Sequence, residues 1–237
     1  MTAGIGSDHV ALQAAIDRGI TVAEVTYCNS ISVAEHVMML ILSLVRNYIP
    51  SYKQVVSGGW NIADCVSREY DLEGMQVGTV AAGRIGSAVL RRLKPFEVGL
   101  HYFDRHRLPA EVEQELNVTY HPNVESMVSV CDVITINAPL HPETEHLFDD
   151  ELIGKMKRGS YLVNTARGKI CDRDAVARAL ESGQLAGVAR AEGSPLAHDA
   201  EPRHDPAHLR LVTLGAGTIR RGNPRDPGVL VRRSPDP

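Results

Sequence analysis

From residue 76 onward, the chain alternates between short runs rich in β-branched residues and stretches with the apolar spacing of helices. The β-rich runs are residues 77–80, 98–103, 133–136 and 161–163, and the helical stretches are residues 85–93 and 174–180. This alternation favours a parallel sheet with helices on both faces, because each crossover between parallel strands needs a long connection that usually contains a helix. The sequence therefore predicts an α/β fold with a doubly wound parallel sheet.

The first of these β-rich runs leads into a glycine-containing turn and then into a helical stretch. The turn reads Ala81-Ala82-Gly83-Arg84-Ile85-Gly86, with Ala81 where the first glycine of a GxGxxG motif usually stands. Such a turn lets backbone N–H groups at a helix N-terminus approach a pyrophosphate, and its last glycine allows the helix to pack closely on the strand. The motif alone is weak evidence, because similar turns also occur without a ligand.

An acidic residue at the expected distance strengthens this interpretation. Asp104 ends the next β-rich run and follows Gly83 by 21 residues, where a carboxylate accepts hydrogen bonds from the adenosine ribose hydroxyls. A carboxylate there would repel a 2′-phosphate, so the sequence favours NAD over NADP, although the neighbouring Arg105 could soften that preference. Together the turn and Asp104 predict a Rossmann-like NAD-binding domain; the alternative for Asp104 is a capping or turn residue.

Composition limits the classes of partner. The chain has 237 residues, a net charge of −4 and a pI near 6.2, so it lacks the basic surface that binds nucleic acid and is expected to act on a small molecule. The longest apolar run, residues 37–45, is far below the ~20 residues needed to cross a bilayer, so no membrane partner is expected. Neither the cysteines nor the histidines have metal-ligand spacing, which predicts no metal, and four reduced cysteines suit the cytoplasm.

The residues before position 30 contain too little structure for a domain. They show a helical stretch at residues 10–16, a stop signal at Gly19 and a β-rich run at residues 20–25. Ser32 and Glu35 then have the spacing of a capping box, which predicts a long buried helix that reaches about Tyr48.

The composition changes abruptly at the other end of the chain. Residues 190–237 hold seven prolines and eight arginines, with no lysine and no aromatic residue. No sustained period of 2 or 3.6 runs through them, so this segment is predicted to be disordered. The sequence thus divides into residues 1–29, an NAD-binding domain at 30–189 and an aberrant tail at 190–237.

Several motifs give the chain a more specific resemblance. They are Thr26-Tyr27-Cys28-Asn29-Ser30, Gly58-Gly59-Trp60-Asn61-Ile62-Ala63-Asp64-Cys65, Asp104-Arg105-His106, Pro139-Leu140-His141-Pro142-Glu143-Thr144 and Asn164-Thr165-Ala166-Arg167-Gly168-Lys169. With them the chain resembles the NAD-dependent formate dehydrogenases of the D-2-hydroxy-acid dehydrogenase superfamily, from Thr2 to about Ala189. Residues 1–29 would then be the remnant of a substrate domain.

The resemblance implies roles for individual residues. Arg84 and Ile85 would lie at the pyrophosphate and Asp104 at the ribose, while Pro139, His141 and Thr165 would line the nicotinamide half of the site. Asn29 and Arg167 would hold the carboxylate of formate, with Ile5 and Gly6 beside it, and Arg167 would also border the cofactor. The expected reaction is hydride transfer from formate to NAD, which gives carbon dioxide and NADH. Family members usually form homodimers through the NAD-binding domain, so the helix from Ser32 and the stretch after Pro50 are expected at such a contact.

The chain also departs from the family pattern. The family has about a hundred further residues of substrate domain before the position of Met1, and after Ala189 it continues with Gly-Asp-Val-Trp, Pro-Gln and Thr-Pro-His segments that are absent here. Read one base late, the possible codons of residues 196–210 permit Thr-Pro-His, so a frameshift after about Ala189 is our hypothesis. Three functions stay open: an active formate dehydrogenase, an NAD-binding remnant or interaction module without activity, and another NAD-dependent 2-hydroxy-acid dehydrogenase.

Overall fold

A seven-stranded, all-parallel sheet forms the centre of the molecule in a computed structural model that describes residues 10–23, 25, 28–191 and 211–214. The spatial order of the strands is β3-β2-β1-β4-β5-β6-β7. The strands are β1 Gln76–Val80, β2 Gly99–Phe103, β3 Val118–Tyr120, β4 Val133–Ile136, β5 Ser160–Asn164, β6 Leu185–Ala191 and β7 Leu211–Leu214. Strand order reverses between β1 and β4, and in open α/β sheets ligands bind outside the carboxyl ends of the strands at such a point.

Helices connect the strands and cover both faces of the sheet. They are α1 Leu12–Ile16, α2 Ser30–Val45, α3 Tyr48–Val56, α4 Ile62–Val66, α5 Arg84–Leu93, α6 Ala110–Leu116, α7 Val124–Val128, α8 Asp150–Lys155 and α9 Arg173–Glu181. Two short 3-10 helices, Lys94–Phe96 and Gly168–Ile170, follow α5 and β5. In the part of the chain that the structure describes, no helix has the length and apolar character needed to span a bilayer.

The hydrophobic core consists of two layers, one on each face of the sheet. One layer packs α2, α5 and α6 against the sheet, and the other packs α7, α8 and α9 against the opposite face. Successive residues of a strand alternate between the layers, so Val133 belongs to the first and Ile134 to the second. The central strands are therefore apolar on both faces, as expected for a parallel sheet covered on both sides.

The structure confirms the predicted α/β architecture. All four β-rich runs are strands and both helical stretches are helices, α5 and α9. The sequence did not predict β3, β6 or β7. Strand β6 continues past Ala189 to Ala191, and β7 pairs in parallel with it.

Three local predictions were wrong in part. Helix α2 begins at Ser30 rather than after Ser32, with Asn29 at the N-cap, and it ends at Val45 because Asn47 adopts the left-handed conformation. The described residues of the run 20–25 form no strand. Residues 211–214 lie in the tail predicted to be disordered, but they form strand β7. This Leu-Val-Thr-Leu segment gains backbone hydrogen bonds by pairing with β6 at the edge of the sheet. Residues 192–210 and 215–237 of the predicted tail lie outside the described residues.

Candidate functional site

The turn between β1 and α5 has the close-packed geometry of a nucleotide-binding turn. Ala81 adopts a left-handed conformation with φ 72°, although it is not a glycine. Gly83 is extended and forms the N-cap of α5. A Cβ on Gly86 would lie 2.1 Å from the carbonyl oxygen of Ala81, so only glycine lets the helix approach the strand this closely. The packing role expected of Gly86 is thus present.

The first turn of α5 offers space and backbone donors. A Cβ on Gly83 would meet nothing within 4 Å, so this glycine faces open space on the side of the turn. The first N–H groups of any helix have no partner within the helix, and together with the helix dipole they favour an anion. The N-terminus of α5, with Arg84 and Ile85 as its first residues, is therefore chemically suited to a pyrophosphate.

Two backbone amides, one of them in this turn, hold the Asp104 carboxylate by hydrogen bonds. Its Oδ2 accepts a hydrogen bond from the amide nitrogen of Ala82 at 2.8 Å, and its Oδ1 accepts one from the amide of His106 at 2.9 Å. A carboxylate has about four lone-pair sites, so both oxygens can still accept from sugar hydroxyls. The side chain predicted for the ribose is thus fixed beside the turn predicted for the pyrophosphate.

Two residues that the sequence analysis missed support the turn from below. The side-chain amide nitrogen of Asn137, which directly follows β4, donates to Thr79 Oγ1 at 2.9 Å. The Thr79 hydroxyl in turn donates to the carbonyl oxygen of Ala81 at 2.9 Å. The buried Asn137 Oδ1 has no hydrogen-bond partner among the described residues. Since Thr79 lies on β1 and Asn137 follows β4, no motif in the sequence marks this pair.

The loop after β4 is braced by one threonine. The Thr144 hydroxyl donates to the carbonyl oxygen of Pro139 at 2.8 Å and accepts a hydrogen bond from the amide of His141 at 2.8 Å. Pro139 and His141 are both exposed. Arg105, which follows β2, pairs with Glu143 of this loop at 3.5 Å. The loop thus holds Pro139 and His141 beside the turn, at the edge where strand order reverses.

The loop after β5 carries the third group of candidates. Asn164 ends the strand; its amide nitrogen donates to the carbonyl oxygen of Arg167 at 2.9 Å, and its Oδ1 accepts from the amide of Ala166 at 3.0 Å. Arg167 is half-buried, and its Nη1 donates to the carbonyl oxygen of Ala166 at 3.1 Å. The buried Thr165 Oγ1 has no hydrogen-bond partner within the described part of the chain. Asn164 therefore fixes a loop that carries the half-buried Arg167 at the carboxyl edge and holds the Thr165 hydroxyl buried.

The substrate-side candidates are only partly described. Asn29 is half-buried at the N-cap position of α2, and its side chain makes no capping hydrogen bond. Ile5 and Gly6 lie outside the described residues. The structure thus places the described cofactor candidates along one edge of the sheet, and of the substrate-side candidates it describes Asn29 and Arg167.

One buried thiol beside the loop after β5 has a strongly shifted pKa. Burial raises the pKa of the Cys171 thiol to about 12, against a smaller lowering by its hydrogen bond from Asn164, so this thiol stays protonated at neutral pH. Burial likewise raises the pKa of Tyr102 to about 12 and lowers that of His101. This edge of the sheet can therefore bind and orient a charged ligand.

A parallel sheet with a glycine turn at its switch point and an aspartate after the next strand defines a dinucleotide-binding domain of the dehydrogenase type. Comparison with known families agrees. Residues 38–211 match the model of the D-isomer specific 2-hydroxyacid dehydrogenase NAD-binding domain, and the chain belongs to this family. Its cofactor is NAD, as the sequence predicts.

Individual relatives are formate dehydrogenases. The enzyme of Pseudomonas sp. (strain 101) is 74% identical over 189 residues, which cover 80% of this chain and 47% of the enzyme. The Neurospora crassa enzyme is 56% identical over 190 residues, covering 79% of this chain and 51% of the enzyme. The structure resembles that of Granulicella formate dehydrogenase, with a TM-score of 0.82, 62% identity and coverage of 90% of this chain and 57% of the other. The chain spans about half the length of the first two relatives.

Proposed function

We propose that this chain provides the NAD-binding half of a formate dehydrogenase site and that it transfers hydride from formate to NAD. The observation that carries the proposal is the arrangement at the carboxyl edge of the sheet. Asp104 is hydrogen-bonded to the glycine turn on one side of the switch point, and the loops after β4 and β5 present the remaining candidates on the other. The names of the relatives point to the same reaction.

The cofactor would lie across this edge. The N-terminus of α5, from Gly83 to Gly86, would receive the pyrophosphate, with Arg84 adding positive charge and Ala81 shaping the turn. Asp104 would accept hydrogen bonds from the ribose hydroxyls. Pro139, His141 and the unsatisfied Thr165 hydroxyl would line the nicotinamide half, since a buried hydroxyl without a partner gains most from a ligand that hydrogen-bonds to it.

The substrate would be held by charge and geometry. The planar guanidinium of Arg167 matches a carboxylate through two parallel hydrogen bonds, and the Asn29 amide would add a third. When bound, the nicotinamide ring supplies the acceptor for the hydride. Arg167 and Asn29 would hold the carboxylate while formate gives up its hydrogen with the electron pair of the C–H bond and leaves as carbon dioxide. Formate has no hydroxyl proton to remove, so the residues need only orient it.

Formate-dependent NADH formation tests this proposal. The purified full chain is mixed with NAD and formate, and NADH absorbance is followed beside an Arg167→Lys variant. Lysine keeps the charge but loses the planar fork, so we expect the rate to fall at least about tenfold, which corresponds to ~1.4 kcal/mol of transition-state binding. Equal rates for the two proteins would refute the role of Arg167.

The same assay decides between the other two functions. Lactate, glycerate and glyoxylate serve as alternative substrates, glyoxylate with NADH, and turnover of one of these without formate turnover would indicate another 2-hydroxy-acid dehydrogenase. A titration with NADH shows whether the cofactor site exists without catalysis. Binding without any turnover would support the second candidate, an NAD-binding module, which is favoured by the lack of any Thr-Pro-His segment in the sequence.

An exposed apolar surface supports the formation of a homodimer. No residue of α3 is buried, and large apolar side chains lie exposed along residues 48–66: Tyr48, Tyr52, Val55, Val56, Trp60, Ile62 and Val66. Trp60 is 77% exposed. In contrast, the apolar stripe of α2 is used within the chain. Concentrated exposed apolar area is typical of an interaction surface, so α3 and the residues after it are a better candidate contact than α2.

Sedimentation measurements on two charge variants test this contact. Tyr52→Glu places a charge on the exposed surface of residues 48–66, and Phe96→Glu places one on an exposed aromatic residue outside it. We expect a dimer for the unmodified chain and for Phe96→Glu, and a monomer for Tyr52→Glu. A monomeric unmodified chain would exclude the homodimer.

A cytoplasmic location stays a prediction, and cell fractionation with an antibody against the chain tests it.

A further inference from the structure

A continuous chain of hydrogen bonds crosses the sheet beneath the proposed cofactor site. It starts at the Asn137 amide nitrogen, passes through the Thr79 hydroxyl to the carbonyl oxygen of Ala81, and continues from the amide nitrogen of Ala82 to Asp104. The Ala81–Ala82 peptide is the central link, since its oxygen and its N–H are both bound. The chain therefore connects β4, β1 and β2 through one peptide plane.

The direction of each hydrogen bond is determined by the donors available. The Thr79 hydroxyl has one hydrogen, and the carbonyl oxygen of Ala81 can only accept, so Thr79 donates to it and accepts from Asn137. Asn137 must then turn its amide nitrogen toward Thr79, which leaves its buried Oδ1 without a partner in the described part of the chain. An unsatisfied buried oxygen is a cost that an apolar side chain would avoid. This violation of the packing rules suggests a functional reason for the donor at position 137.

The peptide plane in question decides where two parts of the site point. Rotating this plane would move the carbonyl oxygen of Ala81 away from its position against Gly86. It would also turn the Ala82 N–H away from Asp104 and break their hydrogen bond. Ala81 also needs support, because a residue with a Cβ is strained at φ 72°. Holding the plane from below therefore fixes both the turn and the carboxylate in the positions proposed for binding.

We propose that Asn137 and Thr79 are positioning residues for the cofactor: through the Ala81–Ala82 peptide they orient the pyrophosphate turn and Asp104 together. This inference rests on the proposed cofactor site and adds two residues that do not themselves touch the ligand. Its ligand class is any adenosine diphosphate ribose, with or without nicotinamide.

A matched pair of variants tests the role of Thr79. Thr79 and Thr135 are fully buried, pair with each other across β1 and β4, and both lie near the Asn137 amide nitrogen, at 2.9 Å and 3.3 Å. Each can be replaced by valine with the loss of one hydroxyl, but only Thr79→Val breaks the link to Ala81. Affinity for ADP-ribose is measured by titration calorimetry on the full chain, with stoichiometry reporting the folded fraction.

We expect Thr79→Val to weaken ADP-ribose binding about tenfold and Thr135→Val to change it less than about twofold, since one hydrogen bond to a buried group corresponds to roughly such a factor. Thr79→Ser keeps the hydroxyl and should restore most of the affinity. Equal effects of the two valine variants would reduce Thr79 to a structural role and overturn the proposal. Should Thr79→Val not fold, Asn137→Asp removes the donor at a half-buried position and is expected to weaken binding similarly.

Hydrogen exchange in the ligand-free protein gives a second readout. The Ala82 amide should exchange faster in Thr79→Val than in the unmodified chain or Thr135→Val, because its peptide plane is freed to rotate. Unchanged exchange at Ala82 would overturn the proposal whatever the binding results. If the unmodified chain bound no ADP-ribose, the proposed cofactor site would fail, while exchange at Ala82 would still decide whether the hydrogen-bond chain holds the turn.

Discussion

Replacing Ala81 by glycine should stabilise the protein slightly, although it removes a methyl group from the edge of the core. Ala81 has φ 72°, and a non-glycine residue pays about 1–2 kcal/mol for the left-handed conformation. Glycine costs about 0.4–1 kcal/mol through the larger entropy of the unfolded chain. The half-buried methyl group is worth about 0.4 kcal/mol, half of a fully buried one. The balance is a gain of roughly 0.4 kcal/mol, or about 1–2 °C in Tm for a chain of this size.

The adjacent alanine provides the control. Ala82 is only 2% exposed and is not in the left-handed region, so Ala82→Gly relieves no strain. It loses a buried methyl group and adds unfolded-state entropy, which together cost about 1.5 kcal/mol, or roughly 3–6 °C. Thermal unfolding followed by circular dichroism compares the two variants. A fall in Tm for Ala81→Gly as large as that for Ala82→Gly would show that Ala81 carries no backbone strain.

Three further predictions follow from the same structure. Gly86→Ala should lower the free energy of unfolding, measured with urea, by about 1–2 kcal/mol, because its Cβ would lie 2.1 Å from a backbone oxygen. Gly154→Ala, in open space on α8, should instead raise the free energy of unfolding by about 0.5–1 kcal/mol. A gain in stability for both variants would refute the close packing at Gly86. Burial lowers the pKa of His101 and of His121 below 6.5, and repulsion from His121 lowers that of His101 further. The two histidines therefore contribute to the stability of the folded protein above pH 6.5, and this contribution is lost as the pH falls through their folded-state pKa values. The dependence of Tm on pH should be flatter in His101→Gln, and an unchanged profile would contradict this. Asp104→Asn removes the repulsion of the 2′-phosphate, so the NADP dissociation constant divided by the NAD dissociation constant should fall about tenfold. An unchanged ratio would refute that role of Asp104.

The sequence predicts the centre of the sheet better than its edges. Strands β1, β4 and β5 are buried on both faces and therefore appear as apolar, β-branched runs. Strand β3 has only three residues, and β6 contains alanine and glycine, which have low strand propensity. These strands form because their neighbours supply hydrogen-bond partners at long sequence separation, and a local pattern does not contain that information.

The candidate site divides in the same way. The glycine turn and Asp104 are recognisable because their spacing in sequence follows from one strand–turn–helix–strand unit. The support by Asn137 and Thr79 depends on the register between β1 and β4, in which Thr79 lies opposite Thr135. Register between strands that are not consecutive in the chain is a tertiary property, so reading the sequence alone did not reveal it.

The hydrogen-bond chain also explains why alanine is tolerated at the first position of the glycine motif. The peptide that follows Ala81 is held at both ends, by Thr79 below and by Asp104 above, so leaving the left-handed conformation would break two hydrogen bonds. Each is worth about 0.5–1.5 kcal/mol, and a bond to a charged group is worth more, so together they exceed the strain of one alanine. For the packing of the protein itself, glycine is therefore required in this turn only at Gly86, where the obstacle is a backbone atom and no hydrogen bond can compensate for a Cβ.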